Sequence, residues 1–93
     1  MLPSNPFPLV AVDIGNSRMK LGLFERDALD PLPEPGRTLC LTGEDPELER
    51  IAHGLLEGMP QGVAWWIGSV NRPAATRLID WLRDKRPQEP VTL

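Results

Sequence analysis

The chain has 93 residues, 10 basic and 13 acidic, which gives a formal net charge of −3 at pH 7. This length allows one small domain, and the weak acidity argues against nucleic acid as the main partner. No uncharged stretch reaches the ~18 residues of a membrane span, and the single Cys40 excludes an internal disulfide. Because secretory-signal features are also missing, we expect a cytoplasmic protein without membrane contact.

The first half of the chain predicts three strands. Prolines make residues 1–8 an irregular tail. LVAVDI, residues 9–14, is apolar on both faces, which is typical of a central strand. GNSR is a turn signal, so MKLGLFE, residues 19–25, should form a hairpin with the first strand. After a proline-rich loop, RTLCLT, residues 37–42, predicts the third strand.

A first helix is predicted over residues 43–59. Asp45 is a suitable N-cap, Pro46 suits the first helical position, and Gly58 is a plausible stop. Apolar side chains recur at helical spacing and predict a buried stripe: Leu48, Ile51, Ala52, Leu55 and Met59.

The second half predicts two strands and one helix. GVAWWIGSV, residues 62–70, is a fourth strand, and PVTL, residues 90–93, starts a fifth. Between them, residues 71–86 predict a helix capped by Asn71 or Arg72 and opened by Pro73. Its buried stripe should be Ala75, Leu78, Ile79 and Leu82.

These elements predict an α/β fold. Three hairpin-connected strands should be antiparallel, and the strand–helix–strand units should join parallel strands. The result is a mixed five-stranded sheet with two helices.

Asp13 is unusual in this pattern, because aspartate is disfavoured in strands and a buried carboxylate without a partner is costly. It shares a strand face with Leu9 and Ala11. One interpretation is an ordinary hairpin in which Gly15 and Asn16 tolerate positive φ.

The other interpretation is a phosphate site. A tight turn presents several backbone N–H groups to an anion, and Gly15 has no side chain to keep a phosphate away. Asn16 and Ser17 add donors, and Lys20 adds a positive charge. Asp13 could then hold a Mg²⁺ that arrives with the phosphates, partly through water.

VAVDIGNSRMKLGLF resembles the first phosphate-binding hairpin of the sugar kinase, Hsp70 and actin superfamily, and DIGNS is most similar to the D-x-G-N-T of type III pantothenate kinases. WIGSVNRP resembles the S-V-x-P loop of the same family. The resemblance spans residues 9–93 and implies the N-terminal, incomplete part of an actin-like ATPase lobe with a ribonuclease H-like sheet. Ser17 replaces the usual Thr, a mild departure because both carry a hydroxyl.

The resemblance implies ATP-dependent phosphorylation of pantothenate, the first step of coenzyme A biosynthesis, with ATP, Mg²⁺ and a monovalent cation (K⁺ or NH₄⁺), in a homodimer when full length. The second motif of the family, D-x-G-T, supplies the catalytic base and does not occur here. We therefore assign no catalytic residue and expect this chain alone to be an inactive fragment.

Two other function classes stay open: another kinase of the superfamily, such as a sugar kinase, or a non-catalytic binding or assembly module. Asn71 could contact substrate, although a helix cap is the simpler role.

Four further side chains carry structural predictions. His53 should lie on the surface and Cys40 in the core. Trp65 and Trp66 should point to opposite sheet faces, one beneath each helix layer.

Overall fold

Five strands form one sheet in the computed structural model, which describes residues 8–25, 35–42, 47–59 and 62–93. Of the predicted tail, only Pro8 lies in these ranges, and the predicted cap residues Asp45 and Pro46 lie outside them. The strands are β1 (Leu9–Ile14), β2 (Arg18–Phe24), β3 (Arg37–Thr42), β4 (Ala64–Ser69) and β5 (Val91–Thr92).

The spatial order of the strands is β3-β2-β1-β4-β5. Pairing is antiparallel between β1 and β2 and between β2 and β3, and parallel between β1 and β4 and between β4 and β5. The predicted mixed α/β sheet is therefore confirmed. β1 lies at its centre, as expected for a strand that is apolar on both faces.

One face of the sheet carries the hydrophobic core. Alternate residues of β1 point to this face and are almost completely buried, as are those of its neighbours. The apolar side chains of both helices pack against it. The core side chains of the sheet are Val10, Val12, Ile14, Met19, Leu21, Leu23, Leu41, Trp65 and Ile67.

The first helix is shorter than predicted and has a different geometry. Helical backbone begins at Glu49, and Ile51–Leu55 is a π-helix. Its i→i+5 bond joins the Leu56 N–H to the Ile51 carbonyl at 2.9 Å. This wider turn brings Leu56 into the core, which the α-helical stripe did not predict. Gly58 adopts φ +79°, consistent with its predicted role as a stop.

The second helix, α1 (Arg72–Lys85), agrees closely with the predicted range. Asn71 is its N-cap, because the side-chain Oδ1 accepts a hydrogen bond from the Ala74 N–H at 3.3 Å. The buried side chains of α1 are Ala74, Leu78 and Leu82. Leu78 and Leu82 were predicted to be buried, whereas the predicted Ala75 and Ile79 are only partly buried.

Trp81 and His53 lie at the surface side of the helices. The Trp81 indole N–H donates to the Glu49 carboxylate at 3.0 Å, which ties α1 to the first helix. His53 is exposed, as predicted. No helix in the described part of the chain is long and apolar enough to cross a membrane.

The opposite face of the sheet is not covered by either helix. We call it the open face, and its residues include Ala11, Asp13, Lys20, Gly22, Phe24, Thr38, Cys40, Trp66 and Gly68. Leu9 and Ala64 lie on the same side of the sheet but are buried. Two predictions are wrong here. Cys40 is exposed rather than in the core, and Trp66 is 50% exposed, whereas Trp65 on the other face is buried. The reason is that both described helices pack on one side.

Glu89 is a buried carboxylate that holds β4 and the end of α1 together. It accepts hydrogen bonds from the backbone N–H groups of Gly62 and Val63, both at 2.8 Å, and from the Trp65 indole at 2.9 Å. The Arg86 guanidinium donates to both of its oxygens. Burial alone raises the pKa of Glu89, but these hydrogen bonds together lower that pKa below the ordinary 4.5.

Replacing Glu89 with Gln should lower the free energy of unfolding by about 3 kcal/mol. The amide keeps the size of the side chain, but its NH₂ group faces donors and the Arg86 charge loses its partner. Urea denaturation followed by tryptophan fluorescence measures the change. The control is Glu57→Gln, since the Glu57 side chain is exposed, and an equal loss in both variants would contradict this role of Glu89.

The Glu89 network also predicts acid sensitivity. Because folding lowers the pKa of Glu89, its stabilisation is present above the ordinary, unfolded-state pKa of 4.5. It is lost as the pH falls through the lower folded-state pKa. Between neutral pH and this acidic range, the native protein should lose more stability than Glu89→Gln does, as measured by urea denaturation at each pH. Parallel curves for the two proteins would show that Glu89 is not responsible.

Candidate functional site

The predicted phosphate-binding hairpin is a two-residue turn between β1 and β2. The Gly15 N–H donates to the Arg18 carbonyl at 2.8 Å, which closes the turn around Asn16 and Ser17. Among the described residues, positive φ occurs only at Gly58 and Gly62, so the turn does not depend on it. The ordinary-hairpin interpretation expected Gly15 and Asn16 to be present because they tolerate positive φ, and this expectation is wrong.

The predicted donors of the turn face solvent. Asn16 and Ser17 are exposed, and within the described ranges neither side chain makes a hydrogen bond. A Cβ atom placed on Gly15 would meet only the Arg18 carbonyl, at 3.6 Å. The absence of a side chain at Gly15 is thus not required by packing, and it leaves the backbone open to a ligand.

Asp13 and Lys20 lie opposite each other on β1 and β2. Both are exposed on the open face, so the carboxylate at the strand end lies in water. They form no ion pair within 4.0 Å in the described part of the chain. A free carboxylate and a free ammonium group therefore stand side by side next to the turn.

The open face forms a groove beside this pair. It has a volume of about 550 Å³, and the small residues Ala11 and Gly22 are among the residues that line it. Lys20 and Asp13 lie at one end and Phe24 at the other, with Thr38 and Cys40 along β3.

The loop after β4 is fastened to the hairpin. The Val70 N–H donates to the Ile14 carbonyl at 3.0 Å, and the Asn71 side-chain NH₂ donates to the Gly15 carbonyl at 3.4 Å. Asn71 thus caps α1 with its oxygen and holds the hairpin with its nitrogen. The structure brings the two motifs singled out in the sequence into direct contact.

Two contributors to this region were not predicted. Ser69 exchanges hydrogen bonds with the Asn71 backbone, since its hydroxyl accepts from the N–H and donates to the carbonyl, both at 2.9 Å. A serine two residues before a helix cap is a recognisable signal for such a turn. Arg18 is exposed at the end of the turn and adds a second cation two residues from Lys20.

Asp13 fits a magnesium site of the water-rich kind. Mg²⁺ is commonly held by one or two carboxylates together with substrate phosphates and water, and Asp13 is exposed and unpaired. In the described ranges, no three His, Cys, Asp or Glu side chains cluster as metal ligands.

No protein-family model matches the chain, and no curated protein matches it at a significant level. The hairpin, the loop joined to it and the topology of the sheet are therefore the features that point to a function.

Asn71 offers a test of the junction. Asn71→Ala removes both the cap and the bond to Gly15, and should lower the free energy of unfolding by about 1–2 kcal/mol. Asn71→Asp keeps a capping oxygen near the helix N-terminus but has no NH₂ group, so it should restore most of this stability. Thermal unfolding of the three proteins measures the effect. If Asp is as destabilising as Ala, the bond to Gly15 matters more than the cap.

Proposed function

We propose that this chain supplies the first phosphate-binding element of an ATP-dependent kinase with an actin-like ATPase fold, similar to the type III pantothenate kinases. The observation that supports this most is the position of the DIGNS hairpin at the end of the central strand, fastened through Asn71 to the SVN loop of the neighbouring parallel strand. The sheet order β3-β2-β1-β4-β5 agrees with the topology expected for such a lobe.

The proposed reaction transfers the γ-phosphoryl group of ATP to the hydroxyl of pantothenate. The substrate comes from the sequence resemblance, as do the monovalent cation and the cytoplasmic location. Another alcohol substrate, such as a sugar, would use the same hairpin. The two are distinguished by offering the protein both classes of acceptor with ATP.

The residues of the hairpin would act by positioning and electrostatics, which dominate phosphoryl transfer. Asn16 and Ser17 donate hydrogen bonds to phosphate oxygens, while Gly15 allows the backbone to approach them. Lys20 balances phosphate charge from the open face. Asp13 would hold Mg²⁺ through water, and this ion would neutralise part of the charge on the phosphates.

Residues 9–93 contain no D-x-G-T motif, so we assign none of them as the catalytic base. Asp13 and Glu25 are the carboxylates nearest to the turn in sequence. They do not form an acid–base pair at the turn, because Glu25 follows the end of β2 that is far from it. Asp13 is already used in the proposed metal site. Asn71 is a positioning residue here, since both of its polar groups are engaged within the protein.

Asp13→Asn tests this proposal because it removes the charge but keeps the size of the side chain. In the native gene product it should lower turnover at least about a hundredfold, the scale of one lost preorganised electrostatic contact. Stability should be unchanged or slightly higher, since Asp13 has no partner to lose. Turnover is measured against Mg²⁺ concentration, with the melting temperature recorded for each protein.

The matched control is Asp80→Asn, because Asp80 is exposed on α1 and lies outside the hairpin. Equal turnover of Asp13→Asn and the native protein at every Mg²⁺ concentration would reduce Asp13 to a turn residue and remove the basis of the proposal.

A further inference from the structure

One end of the groove on the open face carries one charge of each sign. Among the described residues that line the groove, Asp13 and Lys20 are the only charged ones. They lie directly opposite each other on β1 and β2, and they form no ion pair with each other. Because the Cβ atoms of such opposite residues are about 5 Å apart, the carboxylate and the ammonium group can reach one small ligand together.

The other end of the groove is apolar. Phe24 lines the groove there, and its ring and that of Pro35 cover the backbone of Gly22. A Cβ atom placed on Gly22 would lie 3.2 Å from the Pro35 Cβ and 3.5 Å from the Phe24 Cε2. Between this apolar end and the charged pair lies Ala11, whose small side chain leaves the space above β1 open.

We propose that this groove binds an α-amino acid with a large apolar side chain. Its ammonium group pairs with Asp13 and its carboxylate with Lys20, so that both charges of the protein are matched. A ligand with a single charge would leave one of them facing a group of its own sign or no partner. Charge-assisted hydrogen bonds of this kind are the stronger ones, and two of them fix the orientation of the ligand.

The dimensions of the groove suit this ligand. Ala11 is two residues from Asp13, about 6.6 Å along the strand, which is comparable with the length of a benzyl group. The side chain of the amino acid would therefore lie over Ala11 and end against the Phe24 ring. The volume of about 550 Å³ falls within the usual range of small-molecule sites.

This inference goes beyond the proposed kinase function, although the two share Asp13 and Lys20. An amino acid bound to both side chains would exclude Mg²⁺ and phosphate from them, so the two kinds of ligand should compete. Binding of the amino acid is measured without ATP and Mg²⁺, whereas the kinase function is tested by turnover. Failure of one is therefore distinguishable from failure of the other.

An NMR titration of the isotope-labelled 93-residue chain with four probes tests the proposal. L-phenylalanine should bind with a dissociation constant in the low millimolar range, as suits so small a ligand, and should shift the amide signals of Ala11 and Phe24. Phenethylamine and hydrocinnamate keep the ring but lack the carboxylate or the ammonium group, so each should bind at least about tenfold more weakly. Glycine has both charges but no side chain and should not bind detectably.

Charge-removing variants test the two partners. Asp13→Asn and Lys20→Gln should each weaken phenylalanine binding at least about tenfold. The matched controls Asp80→Asn and Lys85→Gln, both at exposed positions of α1, should change it less than about twofold.

Three results would overturn the proposal. One is hydrocinnamate or phenethylamine binding as tightly as phenylalanine, which would indicate a site for a single charge. Another is equal affinity in the native protein and both groove variants. The third is an absence of chemical-shift changes at the groove when phenylalanine is added, while the dispersed spectrum shows that the chain is folded.

Discussion

The pairing of β1 on both of its edges is the constraint on which the rest of the structure depends. β1 is antiparallel to β2 and parallel to β4, so its last residue lies beside a tight turn on one side and beside a strand-to-helix loop on the other. This pairing brings Ile14, Gly15, Val70 and Asn71 together although 56 residues separate Gly15 from Asn71. Without it, the two motifs would have no fixed relation to each other.

The two faces of the sheet differ in burial and in residue type. On the helix-covered face, large aliphatic side chains exclude water and supply most of the hydrophobic stabilisation. On the open face, small residues on β1 and β2 lie between a tryptophan and a charged pair. The same alternation that buries Val12 exposes Asp13, so the proposed phosphate site and the stability of the core are consequences of one strand geometry.

Much of the fold was predictable from local patterns. Strand positions followed from apolar runs, and the cap at Asn71 followed from its place before Pro73. The π-helix was not predictable, because Ile51, Leu55 and Met59 also satisfy a period of 3.6 residues. The exposure of Cys40 and Trp66 was missed since strand alternation gives two faces but does not tell which one a helix covers.

The candidate site was predictable in part for similar reasons. The residues of the hairpin are contiguous in sequence, so their proximity required only the turn. The second role of Asn71 depends on strand order, which no local pattern encodes. Glu89 was missed altogether, because a single acidic residue in a polar segment gives no indication that it will be buried against β4.

The position of Glu89 in the chain has a consequence for synthesis on the ribosome. The N–H groups of Gly62 and Val63 and the indole of Trp65 find their acceptor only in a residue made 24 to 27 positions later. A nascent chain that ends before residue 89 therefore exposes these donors, even when β1, β2 and β3 are complete. Vectorial folding from the N-terminus must thus leave the start of β4 without these hydrogen bonds until residue 89 has emerged.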